Sequence, residues 1–172
     1  GAPGYPVAAG EAFLFLHADG HVVSEYDEEG RELWRQGAVS PVTAVDASGD
    51  RRVLGFMSGH LYATVVDPES TAPEWVRLQL PNSEIPVVYD AAFSPGGTGL
   101  VVRSGLEPQR VSYFDFSGDS IDPPRPTWSV ELPVQSLRPG SIGADSATEL
   151  VVGLSGELLR LDRATGTLLG RV

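Results

Sequence analysis

The sequence predicts an all-β fold assembled from about four copies of one four-stranded antiparallel unit. Three observations lead there. Glycine and proline supply 34 of the 172 residues, and no stretch free of both exceeds nine residues. An average helix takes about 11 to 12 residues, so helices have little room. Between these breakers the apolar runs are short and rich in Val, Leu and aromatics, as at Ala12 to Leu16, Tyr62 to Val66, Leu100 to Val102 and Leu150 to Val152. Finally, one pattern of turn, strand and second turn recurs along the whole chain.

The clearest copy is LSGELLRLDRATGTLLG, Leu154 to Gly170. Ser155-Gly156 makes a tight reversal, Leu158 to Leu161 a strand, and Asp162 to Gly166 a second turn. Aligned on it, the first turn holds Asp19-Gly20, Ser58-Gly59 and Ser104-Gly105 in the earlier copies. Glycine suits the positive φ that such hairpins require. The second turn opens on Asp27, Asp67, Asp115 and Asp162, whose carboxylates can accept hydrogen bonds from N–H groups two or three residues on. The intervals between these aspartates are 40, 48 and 47 residues, the range of a four-stranded propeller blade.

The chain therefore divides into four blades of a single β-propeller domain over 1–172, at approximately 5–36, 39–80, 86–132 and 134–172. The first carries the acidic second turn Asp27-Glu28-Glu29 and the tryptophan Trp34. The second repeats the plan with Trp75. The third is irregular: Leu106 to Gln109 enlarges its first turn and Asp119 to Pro126 its second, before Trp128. Insertions of this kind belong on the surface, because buried loops strand backbone polar groups. Blade four is the cleanest repeat. One four-stranded sheet cannot bury both faces alone, so the tryptophans are expected as wedges between blades. Asp46, Asp50, Asp90 and Asp145 are expected to cap the turns that follow the first strands of blades two to four.

In LDRATGTLLG, Leu161 to Gly170, the residues resemble the repeat of the PQQ-like β-propellers, Leu-Asp-x-x-Thr-Gly-x-x-x-Trp, with Gly170 at the usual Trp. YDEEGRELW, Tyr26 to Trp34, matches that pattern with one turn residue deleted and keeps the Trp. The segment AAFSPGGTGLVV, Ala91 to Val102, is instead similar to the AFSPDGT segment of WD40 and TolB-type propellers. The PQQ-like family spans quinoprotein dehydrogenases and non-catalytic scaffolds of the bacterial envelope, such as the outer-membrane assembly lipoprotein. Its dehydrogenases join eight blades to a calcium-bound quinone and commonly carry a vicinal cysteine pair. This sequence has four repeats and no cysteine, so neither quinone catalysis nor any other cofactor is expected.

Composition excludes more. A net charge of −11 repels phosphate backbones and anionic membrane surfaces, so nucleic acid is not an expected partner. No apolar run reaches the roughly 20 residues that span a bilayer as a helix, and direct membrane insertion is not expected. The opening GAPGYPVAAG lacks a basic and an apolar segment, so any export signal is expected to have been removed already. All 12 basic residues are Arg, which removes lysine chemistry. The sequence has no Gly-x-Ser-x-Gly, Gly-x-Gly-x-x-Gly or phosphate-loop motif, and neither catalytic nor metal-binding residues are assigned.

Two sets of candidate contact residues remain. The loops of blade three offer Arg103, Glu107, Arg110, Asp119, Asp122 and Arg125 to a protein partner. At the mouth of a central channel, His21 and His60 follow equivalent turn glycines, with Asp19 and Glu157 as acidic neighbours. Imidazole with carboxylate can hold a cation, while exposed turn residues need no ligand at all. The function expected is non-enzymatic binding or scaffolding between proteins, in the periplasm or another extracytoplasmic place. The alternative is a ligand-binding, sugar-binding or hydrolytic propeller with an acidic, raised-pKa carboxylate at the channel mouth. Three closures are open: a tight four-bladed ring, a homodimer of half-rings making eight blades, or part of a longer chain with missing blades. Because the ends fall on blade boundaries, the last two are favoured.

Overall fold

The computed structural model describes residues 4–9, 12–67, 70, 72–116, 121, 124–132, 142–143, 148–154 and 157–172, the side chains of 142, 143 and 154 excepted. It forms four sheets of four strands, and no helix occurs among the described residues. Blade one holds β1 (Gly4–Ala9), β2 (Ala12–His17), β3 (Val22–Tyr26) and β4 (Glu32–Gly37). Blade two holds β5 (Val42–Ser48), β6 (Arg51–Phe56), β7 (Leu61–Val65) and β8 (Val76–Leu78). In blade three are β9 (Val88–Phe93), β10 (Gly99–Ser104), β11 (Arg110–Asp115) and β12 (Trp128–Glu131). Blade four comprises β13 (Ile142–Gly143), β14 (Glu149–Leu154), β15 (Glu157–Asp162) and β16 (Leu168–Arg171). Within each blade, strand order is chain order and every pairing is antiparallel, so each blade is a meander.

The turn chemistry explains the meander. Gly20, Gly59 and Gly105 all have positive φ after the second strand, and Gly59 admits no side chain because a Cβ would run into the Pro86 carbonyl. Two second turns are locked by their aspartates. Asp27 accepts the Arg31 N–H at 2.8 Å, and Asp162 accepts the N–H and hydroxyl of Thr165, each at 2.8 Å. The bond from the Arg31 N–H holds the Asp27 carboxyl below its usual pKa, and the Thr165 hydroxyl does the same for Asp162.

Among the described residues, the main strand packing between blades joins consecutive blades: β1 and β2 on β5, β5 and β6 on β9, and β9 and β10 on β13. The four sheets do not close into a ring. Three apolar cores fill the three seams. Leu14, Val23, Trp34, Val42 and Leu54 form the first, Val53, Leu61, Val88, Leu100, Val102 and Phe114 the second, and Val101, Val111, Tyr113, Leu150, Val152 and Leu159 the third.

Polar locks cross each seam. At the first, Arg52 grips Glu25 with two bonds, Nη2 to Oε1 at 2.7 Å and Nε to Oε2 at 3.0 Å, and Trp34 Nε1 donates to the same carboxylate at 2.9 Å. At the second, Arg51 Nη1 donates to the carbonyls of Gly97 at 2.6 Å and Phe116 at 2.8 Å, and its guanidinium lies 5.8 Å from the Phe116 ring centre. Asp46 also belongs to this seam. It stands inside β5 rather than in the following turn, because its carboxylate accepts the Phe93 N–H of blade three at 2.6 Å. At the third, Arg163 donates to Tyr113 Oη at 2.8 Å and Trp128 Nε1 donates to the Arg163 carbonyl at 2.8 Å. Trp34 meets Trp75 edge to face at 5.8 Å, and Trp128 stacks on Tyr113 at 5.6 Å. The tryptophans therefore serve the seams, as expected of wedges.

Candidate protein-interaction surface

An antiparallel meander sends its β2–β3 type turns and its blade-to-blade connections to the same end of the molecule. There the two kinds of loop are stitched together by backbone bonds. Ala38 N–H donates to the His21 carbonyl at 2.8 Å, Met57 N–H to Pro41 at 2.9 Å, and Gly105 N–H to Val87 at 2.8 Å. The connection 82–87 and the enlarged turn 105–108 are tied further. Ser83 Oγ accepts the N–H groups of Leu106 at 3.2 Å and Glu107 at 3.3 Å, while Glu84 N–H donates to the Glu107 carbonyl at 3.1 Å.

Two hollows open at this end on either side of Ser58 and His60. One, of about 420 Å³, lies in the groove between blades one and two, walled by Ala38, Val39, Leu54, Phe56, Tyr62 and Trp75. Its lining is mostly apolar: Phe56 and Tyr62 meet edge to face at 5.8 Å, and Val39 is fully exposed at the rim. The Trp75 indole N–H is buried with no hydrogen-bond acceptor among the described residues. The other hollow, of about 650 Å³, lies between blades two and three and is polar, with Arg77, Gln79, Asn82, Ser83 and Ser104 among its walls. Neither is lined by a carboxylate. An aromatic-walled cleft beside a polar one suits recognition of a protein surface, where buried aromatic anchors are ringed by polar contacts.

Comparison with known proteins fits this geometry. A family profile described as a beta-propeller protein matches residues 1–121, more than half of the chain. The chain belongs to the β-propeller family. A curated relative, an uncharacterized protein of Treponema pallidum (strain Nichols), is 28% identical over 109 residues, covering 63% of this propeller chain and 28% of its own. Among solved structures, BamB from Moraxella catarrhalis superposes with a TM-score of 0.67 at 20% identity, over 97% of this chain and 47% of that one. Kluyveromyces lactis Hsv2 superposes with a TM-score of 0.74 at 14% identity, over 97% of this chain and 60% of that one. At such identities the likeness is one of fold alone, that of a β-propeller. The propeller described here spans less than two thirds of the length of each of these proteins.

Within the propeller, the sequence candidates separate. Arg103 is fully buried in β10 with its guanidinium 5.6 Å from the Tyr89 ring centre; burial lowers its pKa against the opposing charge of Asp90. It therefore cannot meet a partner at the surface, because its side chain faces a seam and not the loop. Arg110 sits at the start of β11 and pairs with Glu131 at 3.3 Å. Glu107 is exposed on the enlarged turn. Arg125 is exposed and donates to Gln79 Oε1 at 3.1 Å, while Gln79 N–H donates to the Pro124 carbonyl at 2.7 Å. Residues 124 and 125 thus lie beside the end of β8. Asp119 and Asp122 lie outside the described residues.

At the channel-mouth positions, Asp19 accepts the His21 N–H at 2.9 Å, and His21 Nδ1 bonds the Ala38 carbonyl at 3.0 Å. His60 Nδ1 bonds Ser58 Oγ at 2.9 Å, and Glu157 opens β15. Among the described residues no three His, Asp or Glu side chains group closely enough to hold a metal. His60 nevertheless borders both hollows. The aromatic cleft was missed by the sequence reading. Its walls come from two blades, and the only local signal was the apolar pair Ala38-Val39 placed beside a turn.

Proposed function

We propose that this chain is a non-enzymatic propeller module that binds another protein through the loop end of blades one to three. The observation that carries the reading is the aromatic cleft of Phe56, Tyr62 and Trp75 with exposed Val39 at its rim. An apolar side chain entering it gains burial against three aromatic rings, and a carbonyl beside that side chain relieves the unbonded Trp75 N–H. The polar hollow across His60 supplies donors for the flanking residues of the partner. A hydrolytic or sugar-binding channel would instead want a proton-bearing carboxylate facing a hollow. The acidic loop Asp27 to Glu29 does line a shallow hollow at the opposite end, but Asp27 there is held below its usual pKa.

The resemblance of the repeats to envelope scaffolds supports an extracytoplasmic setting, and we include it in the proposal. The test is co-purification from the native organism with wild-type chain, a Tyr62→Ala/Trp75→Ala variant, and an Arg31→Ala variant at the far end. A defined partner held by the wild type and Arg31→Ala proteins, and lost from the cleft variant, supports the reading. Equal capture by all three moves the site elsewhere. Recovery of the native chain in the cytosolic fraction overturns the envelope setting alone.

A further inference from the structure

Leu54, Tyr62 and Arg77 stand in one row across blade two, because β6, β7 and β8 pair them in register, Leu54 with Tyr62 and Tyr62 with Arg77. Cross-strand partners share a face of the sheet, and the first two members of this row wall the aromatic cleft. Arg77 therefore continues the wall outward onto β8, the outermost strand of the blade, two residues beyond Trp75 on the same face. It also borders the polar hollow. The chain carries 23 acidic residues against 12 arginines, and Arg31, Arg35, Arg110 and Arg160 all hold carboxylates. Arg77 is exposed, and among the described residues it has neither an ion pair nor a hydrogen bond. No carboxylate lines either hollow. Beside it, His60 Nδ1 is taken up by Ser58 Oγ at 2.9 Å, which leaves Nε2 as the remaining polar atom of the ring.

We infer that the partner enters as an extended peptide segment bearing one large apolar side chain and an Asp or Glu within two positions of it. The inference rests on the cleft being the protein-binding site and adds the chemistry of what binds there. The apolar side chain fills the space between Phe56, Tyr62 and Trp75, and the carboxylate crosses the rim to the Arg77 guanidinium, whose planar fork suits two carboxylate oxygens. Neighbouring strands lie about 4.8 Å apart and an extended chain advances about 3.3 Å per residue, so one or two residues cover the step from Tyr62 to Arg77.

An extended segment suits the cleft better than a helix, because a helix spends its carbonyls on its own backbone. A carbonyl of an extended segment is free to accept the buried Trp75 N–H. A basic segment would meet the Arg77 charge, and a wholly apolar one would leave that charge at the rim without a counterion. Both walls of the groove lie within the chain, blade one supplying the Ala38 and Val39 side and blade two the aromatic side.

The test is selection from a displayed library of random linear peptides on the wild-type chain, an Arg77→Glu variant and the Tyr62→Ala/Trp75→Ala variant. Wild type is expected to enrich a large apolar residue with an acidic one within two positions. Arg77→Glu is expected to enrich the same apolar residue with Arg or Lys in the acidic place, and the cleft variant neither. Because Arg77 is exposed, Arg77→Glu is expected to keep the β-sheet circular dichroism of wild type. A synthetic peptide of the enriched sequence is expected to bind wild type about fivefold tighter than its Asn or Gln counterpart, with the difference shrinking in high salt. Apolar peptides enriched alike on wild type and Arg77→Glu overturn the acidic partner and leave the cleft as the binding site. Peptides held equally by the cleft variant overturn both. Enrichment of no peptide overturns the linear segment, and the co-purification then decides the cleft by itself. A dimer of the free chain that Tyr62→Ala/Trp75→Ala dissociates would seat a second copy in the cleft and overturn the peptide.

Discussion

Arg51 and Arg52 are neighbours in the chain, yet they hold opposite seams. Strand alternation points Arg52 back to Glu25 of blade one and Arg51 forward to the Gly97 and Phe116 carbonyls of blade three. One dipeptide at the start of β6 thus ties three blades together. Arginine suits the task because its planar fork can meet two acceptors at once without losing its charge.

The Glu25 carboxylate and Arg52 guanidinium are both almost wholly buried. Removing one partner leaves the other charge stranded, at a cost of about 3–5 kcal/mol. Glu25→Ala should lower the unfolding free energy by that order in urea titrations. A Glu25→Leu/Arg52→Met double variant should recover most of the loss, since a packed apolar pair of similar volume replaces both charges. A double variant no more stable than Glu25→Ala would show that the other bonds of Arg52, to the carbonyls of Gly49 and Arg51, dominate.

Gly166 combines a φ of +73° with a crowded approach, and a Cβ there would lie 2.7 Å from Cε3 of Trp128. Gly166→Ala should therefore destabilise by more than about 1 kcal/mol. In a chain of this size that lowers Tm by about 2–4 °C or more. A companion Gly30→Ala, also at positive φ but with open space around it, bears the backbone strain alone and should cost less. Equal losses in the two variants would remove the steric contribution of Trp128.

Asp46 supplies the pH dependence. Burial raises its carboxyl above the usual range, opposed by the N–H groups of Phe93 and Ala47. The folded chain therefore binds this proton at a higher pH than the unfolded chain does. Its contribution favours the fold most below the unfolded pKa of about 3.9 and is lost as pH rises through the raised folded value. Asp46→Asn keeps an acceptor for Phe93 without the charge. Thermal melts from pH 4 to 7 should show a flatter Tm profile for the variant and a Tm at pH 7 at least as high as wild type. A lower Tm at pH 7 with an unchanged slope would assign the titration to another group.

The architecture was legible because its signals are local. The turn glycines Gly20, Gly59 and Gly105 and the capping aspartates Asp27 and Asp162 act within a few residues, so the sequence itself displays the repeat. The seams were legible only in their apolar half. A charged residue such as Glu25, Arg51 or Arg103 reads in one dimension as a solvated position, and only the neighbouring blade shows that it is buried. The signal was present in the strands themselves: each of the three stands on a short strand that also carries buried apolar residues. The aromatic cleft was less legible still, because Val39 and Tyr62 come together only when two blades pack.

The meander order of the blades also bears on how the chain acquires its shape. Every strand pairs with its neighbour in sequence, and a hydrogen bond that crosses the third seam, from Arg163 to Ser94 Oγ, spans 69 residues. Short separations keep loop-closure entropy small and favour rapid ordering. A blade emerging from the ribosome already has the preceding blade to dock on, so assembly can follow synthesis, one sheet at a time.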